Sequence, residues 1–197
     1  MNVLMRIILL SFTAILIENT VFTYAVGTST MFLAARSKKH FVSFGLCITY
    51  FSTVSSALVY FVNKYIMYYD SVYLITPVIY VLIVGFVYTL TLLALWKLAN
   101  RVFVSLKKYI HISAFNCAVL GAVFINVERG GTLLDFIGYG FGSGVGFLLA
   151  TYLMSICYEK LYSEDIPESL RGMPATLVYT GILAMAFFGL VGHQVSL

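Results

Sequence analysis

Six long apolar segments occupy most of this sequence and leave only short connections between them. They cover approximately residues 4–35, 41–63, 72–96, 109–127, 133–157 and 173–193. A helix needs about 20 apolar residues to cross the hydrocarbon core of a bilayer, which is close to the length of these segments. Six such helices use nearly all of the 197 residues and leave no room for a soluble domain. The sequence therefore predicts an all-α membrane protein with a single transmembrane domain, residues 1–197.

The charge content excludes a water-soluble fold. Only 10% of the residues are charged, whereas soluble domains carry about 25%, so the chain has too few charges to coat a surface in water. We interpret the apolar stretch from Met1 to Ile17 as part of the first span and not as a removed signal peptide. The net charge of +4 is explained by the loops, and we predict the lipid bilayer and not nucleic acid as its environment.

The distribution of Lys and Arg predicts the orientation. Loops after spans one, three and five hold nine such residues: Arg36, Lys38, Lys39, Lys97, Arg101, Lys107, Lys108, Lys160 and Arg171. The opposite side holds three: Arg6, Lys64 and Arg129. Because cytoplasmic loops carry the excess of positive charge, we expect a multi-pass protein of the cell inner (plasma) membrane with both termini on the non-cytoplasmic side.

Two of the six segments are interrupted by polar residues and glycines. Glu18, Asn19 and Gly27 interrupt the first, and Asn116, Cys117 and Gly121 interrupt the fourth. The stretch 44–49 also resembles 139–144, and each follows an interrupted span. Interruptions at corresponding places of two halves are typical of inverted-repeat membrane proteins. We therefore predict two inverted three-helix repeats, about 1–99 and 100–197, with spans one and four broken near the midplane.

The interrupting residues are candidates for an ion path. An intramembrane carboxylate such as Glu18 suggests function by default, because an isolated charge there is costly. Asn19 and Asn116 would line the same path, and the alternative is hydrogen bonding at helix breaks or between helices. The glycine series that includes Gly140, Gly142 and Gly144 favours tight helix packing. Its alternative is that backbone groups line a path.

The cysteines suggest a metal site. Cys47, Cys117 and Cys157 all lie in apolar runs and do not form an extracellular disulfide framework. Cys117 is a soft ligand suited to copper(I), zinc or iron–sulfur, and the alternative is a small hydrophobic residue in a helix contact. The sequence contains no catalytic triad, Walker loop or Cys-x-x-Cys motif. Any chemistry is therefore expected only within a larger assembly.

A series of motifs resembles the RnfA/NqrE family and covers nearly the whole chain. In chain order these are Glu18-Asn19, Ser37–Lys39, Phe44–Leu46, Asn116–Gly121, Tyr139–Gly146, Asp165–Gly172 and Ala184–Gly189. That family comprises six-helix subunits of the Na⁺-translocating NADH:quinone oxidoreductase (Nqr) and of the Rnf ferredoxin:NAD⁺ complex. The resemblance implies an inverted-repeat subunit that pairs with a homologous subunit of opposite orientation, of the RnfE/NqrD type.

The resemblance also implies a cofactor. The pair would hold a 2Fe–2S cluster inside the membrane, each subunit giving two cysteines, and the cluster would relay electrons between centres on opposite sides, coupled to Na⁺ or H⁺ transport. Cys117 matches one family ligand. The other falls at Ser29 when aligned forward from Glu18-Asn19 and at Met31 when aligned back from Ser37–Lys39. Cys47 is an alternative ligand.

Three hypotheses follow from these patterns. The first is an electron-relay subunit with a cluster bound through Cys117 and Ser29 or Cys47, or completed unequally by the partner. The second is a divergent subunit of the same complex that has lost the cluster and serves as scaffold and ion path. The third is a small secondary transporter with a midplane site around Glu18, Asn19 and Asn116. The sequence leaves open Rnf or Nqr, the ion, and the electron donor and acceptor.

Overall fold

A computed structural model describes residues 3–36, 41–66, 74–98 and 100–191, and this part of the chain is helical with no strand. Its helices are α1 Val3–Leu16, α2 Thr28–Ala35, α3 Phe41–Ile66, α4 Thr76–Leu98, α5 Asn100–Ala114, α6 Cys117–Arg129, α7 Leu133–Leu161 and α8 Met173–Val191. The motif Ser37–Lys39, which includes two of the lysines counted for orientation, lies outside the described residues. The prediction of an all-helical chain is confirmed for the part that is described.

Four helices are long and apolar enough to cross a membrane, namely α3, α4, α7 and α8. A fifth candidate span is the pair of α5 and α6, which is bent by 43° between Ala114 and Cys117. The first apolar segment also divides into two helices, because α1 ends at Leu16 and α2 begins only at Thr28. The described residues therefore give four candidate spans, or five with the bent pair, and the first and fourth apolar segments are both broken.

Helices α3 and α7 cross at glycines and form the centre of the fold. A Cβ atom on Gly144 would lie 2.3 Å from the Thr49 Cα atom, and one on Gly45 would lie 2.5 Å from the Leu148 side chain. The Ser52 hydroxyl donates to the Gly140 carbonyl oxygen at 2.6 Å. Since the partners on α7 descend as those on α3 ascend, the two helices run antiparallel. Because glycines have no side chain, the two backbones can approach this closely where they cross.

The broken segments pack against these two central helices. Helix α1 runs parallel to α7, and a Cβ atom on Gly142 would lie 2.5 Å from the Ser11 carbonyl oxygen. Helices α5 and α6 pack along α3. The Tyr109 ring on α5 contacts the Phe44 ring on α3 edge-on, with ring centroids 5.0 Å apart. Each broken segment thus lies mainly against the long helix from the other half of the chain.

Helices α4 and α8 lie at the periphery. Within the chain, only 17% of the apolar membrane-spanning stretch of α4 is buried, and only 6% of that of α8. Gly181 and Gly189 on α8 have no atom near enough for an added Cβ to touch. These two helices therefore present apolar surface to the surroundings, as lipid-facing helices do.

An ion pair joins α1 to α7 at one end of the helix bundle. Arg6 forms an ion pair with Asp135 at 2.8 Å, and Asp135 also accepts from the Thr132 hydroxyl and backbone N–H, both at 2.8 Å. This capping box begins α7. Lys64, at the end of α3, lines a cavity together with Gly130 and Gly131, which come just before α7. The starts of α1 and α7 and the end of α3 therefore share one end.

The close crossing at Gly144 predicts a sharp response to one added methyl group. Gly144→Ala is expected to lower stability by about 1–3 kcal/mol, because a tight contact must open to admit the new atom. The check is the thermal unfolding midpoint of the purified chain in detergent. Gly181→Ala is the matched control, with open space around the added atom, and is expected to leave the midpoint unchanged or slightly raised. Equal midpoints for the two variants would contradict this packing.

Candidate functional site

Asn116 makes the break between α5 and α6. Its backbone is extended, with φ −86° and ψ 136°, and its Oδ1 atom accepts from the Ala118 N–H at 3.0 Å. An asparagine that caps the next helix in this way satisfies a backbone donor that the break would leave unpaired. Asn116 is 2% exposed, so this cap lies inside the protein. The polar residue predicted to interrupt the fourth segment is the one that starts α6.

The beginning of α2 lies against the beginning of α6. Gly27 precedes α2 with φ 82°, a left-handed conformation that favours glycine. A Cβ atom there would lie 2.7 Å from the Ala118 Cβ atom. The Thr30 hydroxyl donates to Asn116 Oδ1 at 3.3 Å, so one amide oxygen serves both helices. Because helix N-termini carry partial positive charge, their meeting point favours an anionic group.

Cys117 and Ser29 both present their side chains outward from this meeting point. Cys117 is the first residue of α6 and is exposed. Ser29 is exposed as well and lies between Gly27 and Thr30, which contact Ala118 and Asn116. Met31, the counterpart in the other alignment, is fully buried on α2. Of the two aligned positions, only Ser29 offers its side chain at the surface.

Asn116 has one further polar atom at this position. Its amide nitrogen Nδ2 is buried and has no hydrogen-bond partner among the described residues. A buried donor without a partner costs free energy. The site therefore contains one polar group that the helix cap does not use.

The other cysteines lie elsewhere. Cys47 is half-buried on α3 and lines a cavity between α3, α4 and α5 together with Ile110. Cys157 is half-buried on α7 beside Tyr179 of α8. Within the described ranges, no three His, Cys, Asp or Glu side chains form a group that could hold a metal ion. The described residues therefore do not by themselves form a complete metal site.

Glu18 is neutralised by an arginine from the second half of the chain. Its carboxylate forms an ion pair and a hydrogen bond with Arg129 at the end of α6. The guanidinium carbon of Arg129 lies 5.1 Å from the centre of the Tyr139 ring, a cation–π distance. The pairing of Arg129 with Glu18 and its contact with Tyr139 were not predicted, because no local signal in the sequence indicates contacts this distant. The ion-path role of Glu18 stays a prediction.

Asn19 stabilises the break between α1 and α2. Its Nδ2 atom donates to the Ile15 and Gly146 carbonyl oxygens at 2.9 and 3.0 Å. Its Oδ1 atom accepts from the Val21 and Phe22 N–H groups at 3.0 and 3.3 Å. The side chain is fully buried, and both ends are hydrogen-bonded. This is the arrangement that a helix break in an apolar environment requires.

The meeting of α2 and α6 predicts that a side chain at Gly27 disturbs the Cys117 site. Gly27→Ala forces a left-handed alanine, at a cost of about 1–2 kcal/mol, and also collides with Ala118. Gly130→Ala is the control for the collision, because its backbone is also strained for alanine while the space around the added atom is open. The measurements are the unfolding midpoint and the rate of maleimide labelling at Cys117. Gly27→Ala is expected to alter the labelling rate and Gly130→Ala to leave it unchanged; an unchanged rate in both would contradict the contact.

Comparison with known proteins identifies the family of this chain. The model of the family described as Rnf-Nqr subunit, membrane protein, matches residues 7–193. A subunit of the ion-translocating oxidoreductase complex of Glaesserella parasuis is 28% identical over 185 residues, 94% of this chain and 96% of that protein. A subunit of the Na⁺-translocating ferredoxin:NAD⁺ oxidoreductase complex of Acetobacterium woodii is 27% identical over 192 residues, 98% and 100% of the two chains. Because the family model spans nearly the full length, this chain belongs to the Rnf-Nqr subunit family of membrane proteins.

Proposed function

We propose that this chain is an integral membrane subunit of an ion-translocating respiratory redox complex of the Rnf/Nqr type. It would help relay electrons across the membrane through a 2Fe–2S cluster shared with a homologous subunit, coupled to Na⁺ or H⁺ transport. The full-length similarity to subunits named for such complexes supports membership. The observation that carries the relay role is the exposed Cys117 side chain, where the N-termini of α2 and α6 meet.

We infer six spans in two inverted repeats. In this arrangement α1 and α2 together form a broken first span and correspond to α5 and α6, while α3 corresponds to α7 and α4 to α8. Two features support it. The central helices cross antiparallel at Thr49 and Gly144, and each broken segment lies mainly against the long helix of the other half. A twofold axis through this crossing would exchange those contacts.

The same proposal sets the orientation in the inner membrane. The sparse basic residues Arg6 and Lys64 lie at one end of the described bundle, with Asp135. Lys97 ends one candidate span and Lys107 begins another, so these described basic residues belong to the other end. Under the positive-inside rule, this supports a cytoplasmic position for the basic end, and both termini would then lie on the non-cytoplasmic side.

The residues at the meeting point fit one half of a shared cluster site. An iron–sulfur cluster with thiolate ligands is anionic, and two helix N-termini favour such a group. The Cys117 thiolate would hold one iron position and Ser29 stands at the second, with a hydroxyl in place of a thiol. The partner, of the RnfE/NqrD type and opposite orientation, would supply the remaining ligands. When bound, the cluster supplies one-electron transfer, while Asn116 fixes the first turn of α6.

The hydroxyl at Ser29 favours a second candidate function. Oxygen is a poorer ligand than thiolate for iron–sulfur clusters. In this alternative the subunit keeps its position in the complex and has lost the cluster, so that it acts as scaffold and ion path. A stand-alone transporter around Glu18, Asn19 and Asn116 has less support, since Glu18 pairs with Arg129 and Asn19 is fully hydrogen-bonded.

Cys117→Ala tests the relay role directly. The assembled complex carrying this change is expected to lose the iron and the EPR signal of the membrane cluster, because the chain contributes one thiol to it. The measurements are iron quantification and EPR of the reduced complex. Cys157→Ala, on α7 beside Tyr179, is the control and is expected to keep both. Unchanged iron and an unchanged signal in Cys117→Ala would exclude a ligand role for this residue.

Ser29→Cys tests the second ligand position. Restoring a thiol is expected to raise the iron content of the complex and to change the EPR spectrum, because thiolate binds iron more tightly than a hydroxyl. Met31→Cys is the matched control for the other alignment and is expected to have no effect on the spectrum, since Met31 is buried. A spectrum that responds to Met31→Cys and not to Ser29→Cys would contradict the assignment. Absence of iron from both wild type and Ser29→Cys would favour the scaffold alternative.

A further inference from the structure

A cavity of about 350 Å³ lies between α3, α4 and α5, and its lining includes neither Cys117 nor Ser29. Its walls include Leu46 and Cys47 on α3, Ala94 and Leu95 on α4, and Ile110 on α5. Two hydroxyls also line it, those of Tyr50 and Thr91, but they lie 3.2 Å apart and hydrogen-bond to each other. The remaining wall is apolar. The cavity therefore offers contacts to a hydrocarbon chain and none that orient a polar ligand.

The cavity opens on a face that lipid would contact. Leu46 is 61% exposed and Ala94 is exposed as well. Helix α4 forms one wall, and only 17% of its apolar membrane-spanning stretch is buried within the chain. An aliphatic chain from the bilayer would gain van der Waals contacts along this apolar lining.

One end of the cavity lies close to the membrane boundary. Lys97 ends the candidate span of α4, and Lys107 begins the apolar part of α5. Ala94 and Ile110 are each three residues from these lysines, which is about 4.5 Å of helix rise. Helix α3 begins at Phe41, also near this level. The cavity thus starts about one helical turn inside the boundary, where the acyl chains of a phospholipid begin.

Basic side chains stand beyond this end without acidic neighbours on the same helices. Lys107 and Lys108 are exposed, as is Lys97. Helices α3, α4 and α5 contain no Asp or Glu, and no ion pair joins these three lysines to any of the described residues. The Lys107 amine lies 5.6 Å from the centre of the Phe103 ring. Lysines that form no ion pair with the described residues at an interface attract anionic headgroups.

We propose that this cavity and its lysines bind one anionic phospholipid. The acyl chain fills the cavity between α3, α4 and α5, and the phosphate lies against Lys97, Lys107 and Lys108. Lysine ammonium groups bind phosphate as point charges, and clusters of basic residues beside membrane helices select anionic lipids. The site does not involve Cys117 or Ser29.

The test uses the full chain in nanodiscs of phosphatidylcholine that contain a trace of phosphatidylglycerol with a photoreactive diazirine on one acyl chain. After illumination, mass spectrometry is expected to find the label on the cavity lining, at Leu46, Tyr50, Ala94 or Leu95. Replacing much of the phosphatidylcholine by unlabelled phosphatidylglycerol is expected to abolish this labelling, whereas replacing the same fraction by zwitterionic phosphatidylethanolamine leaves it. This competition requires only the wild-type chain.

Two variants separate the cavity from the headgroup site. Ala94→Phe fills the cavity and is expected to abolish labelling there, whereas Ala186→Phe, on the exposed face of α8, leaves it unchanged. Replacing Lys97, Lys107 and Lys108 by Gln is expected to weaken competition by phosphatidylglycerol, by about fivefold for each lysine. Lys64→Gln, at the other end of α3, is the matched control and is expected to have no effect.

Three results would overturn the proposal. Labelling spread evenly over the exposed faces of α4 and α8 would mean that lipid contacts this region only as bulk bilayer. Equal competition by phosphatidylethanolamine would remove the selectivity for an anionic headgroup. Undiminished labelling in a folded Ala94→Phe chain would place the acyl chain outside the cavity.

Discussion

A helix that breaks within an apolar environment must satisfy the backbone groups that the break exposes, and two buried asparagines meet this requirement here. Asn19 bonds to carbonyl oxygens of α1 and α7 and to two N–H groups within the first break. Asn116 accepts from the first turn of α6 and from Thr30 of α2. Unsatisfied groups would each cost several kcal/mol in lipid. The two breaks, and therefore the meeting of α2 and α6, depend on these two side chains.

The crossing of α3 and α7 explains why the breaks come together. Glycines on α7 allow the backbones of α1 and α3 to approach closely from two sides. Each broken segment then packs on the long helix of the other half, so the first half supplies Gly27 and the second half Ala118 to one site. A site built from both halves leaves its Cys117 and Ser29 side chains exposed. Under the proposed relay function, a partner subunit would complete this site.

The sequence predicts the local features of this structure well, because they depend on residue types with a strong conformational effect. Asn116 after an apolar run predicts a helix break, and the glycine series at 140–146 predicts close packing. Both depend on properties of the residues themselves. The contacts between distant segments could not be predicted in this way. The pairing of Glu18 with Arg129 and the contact of Gly27 with Ala118 exist only once the helices have assembled. Even the exposure of Ser29 beside a buried Met31 depends on how α2 is rotated against its neighbours.

The central claim is that the meeting point of α2 and α6 faces a homologous subunit and holds half of a shared cluster. The most direct measurement is an electron cryomicroscopy map of the complex purified from its native membrane. The claim predicts strong density within bonding distance of the Cys117 sulfur, between this chain and a second subunit of the same fold, with Ser29 facing the same density. A map in which Cys117 faces lipid, or in which the neighbouring subunit covers it with no density for a metal centre, would contradict the relay function.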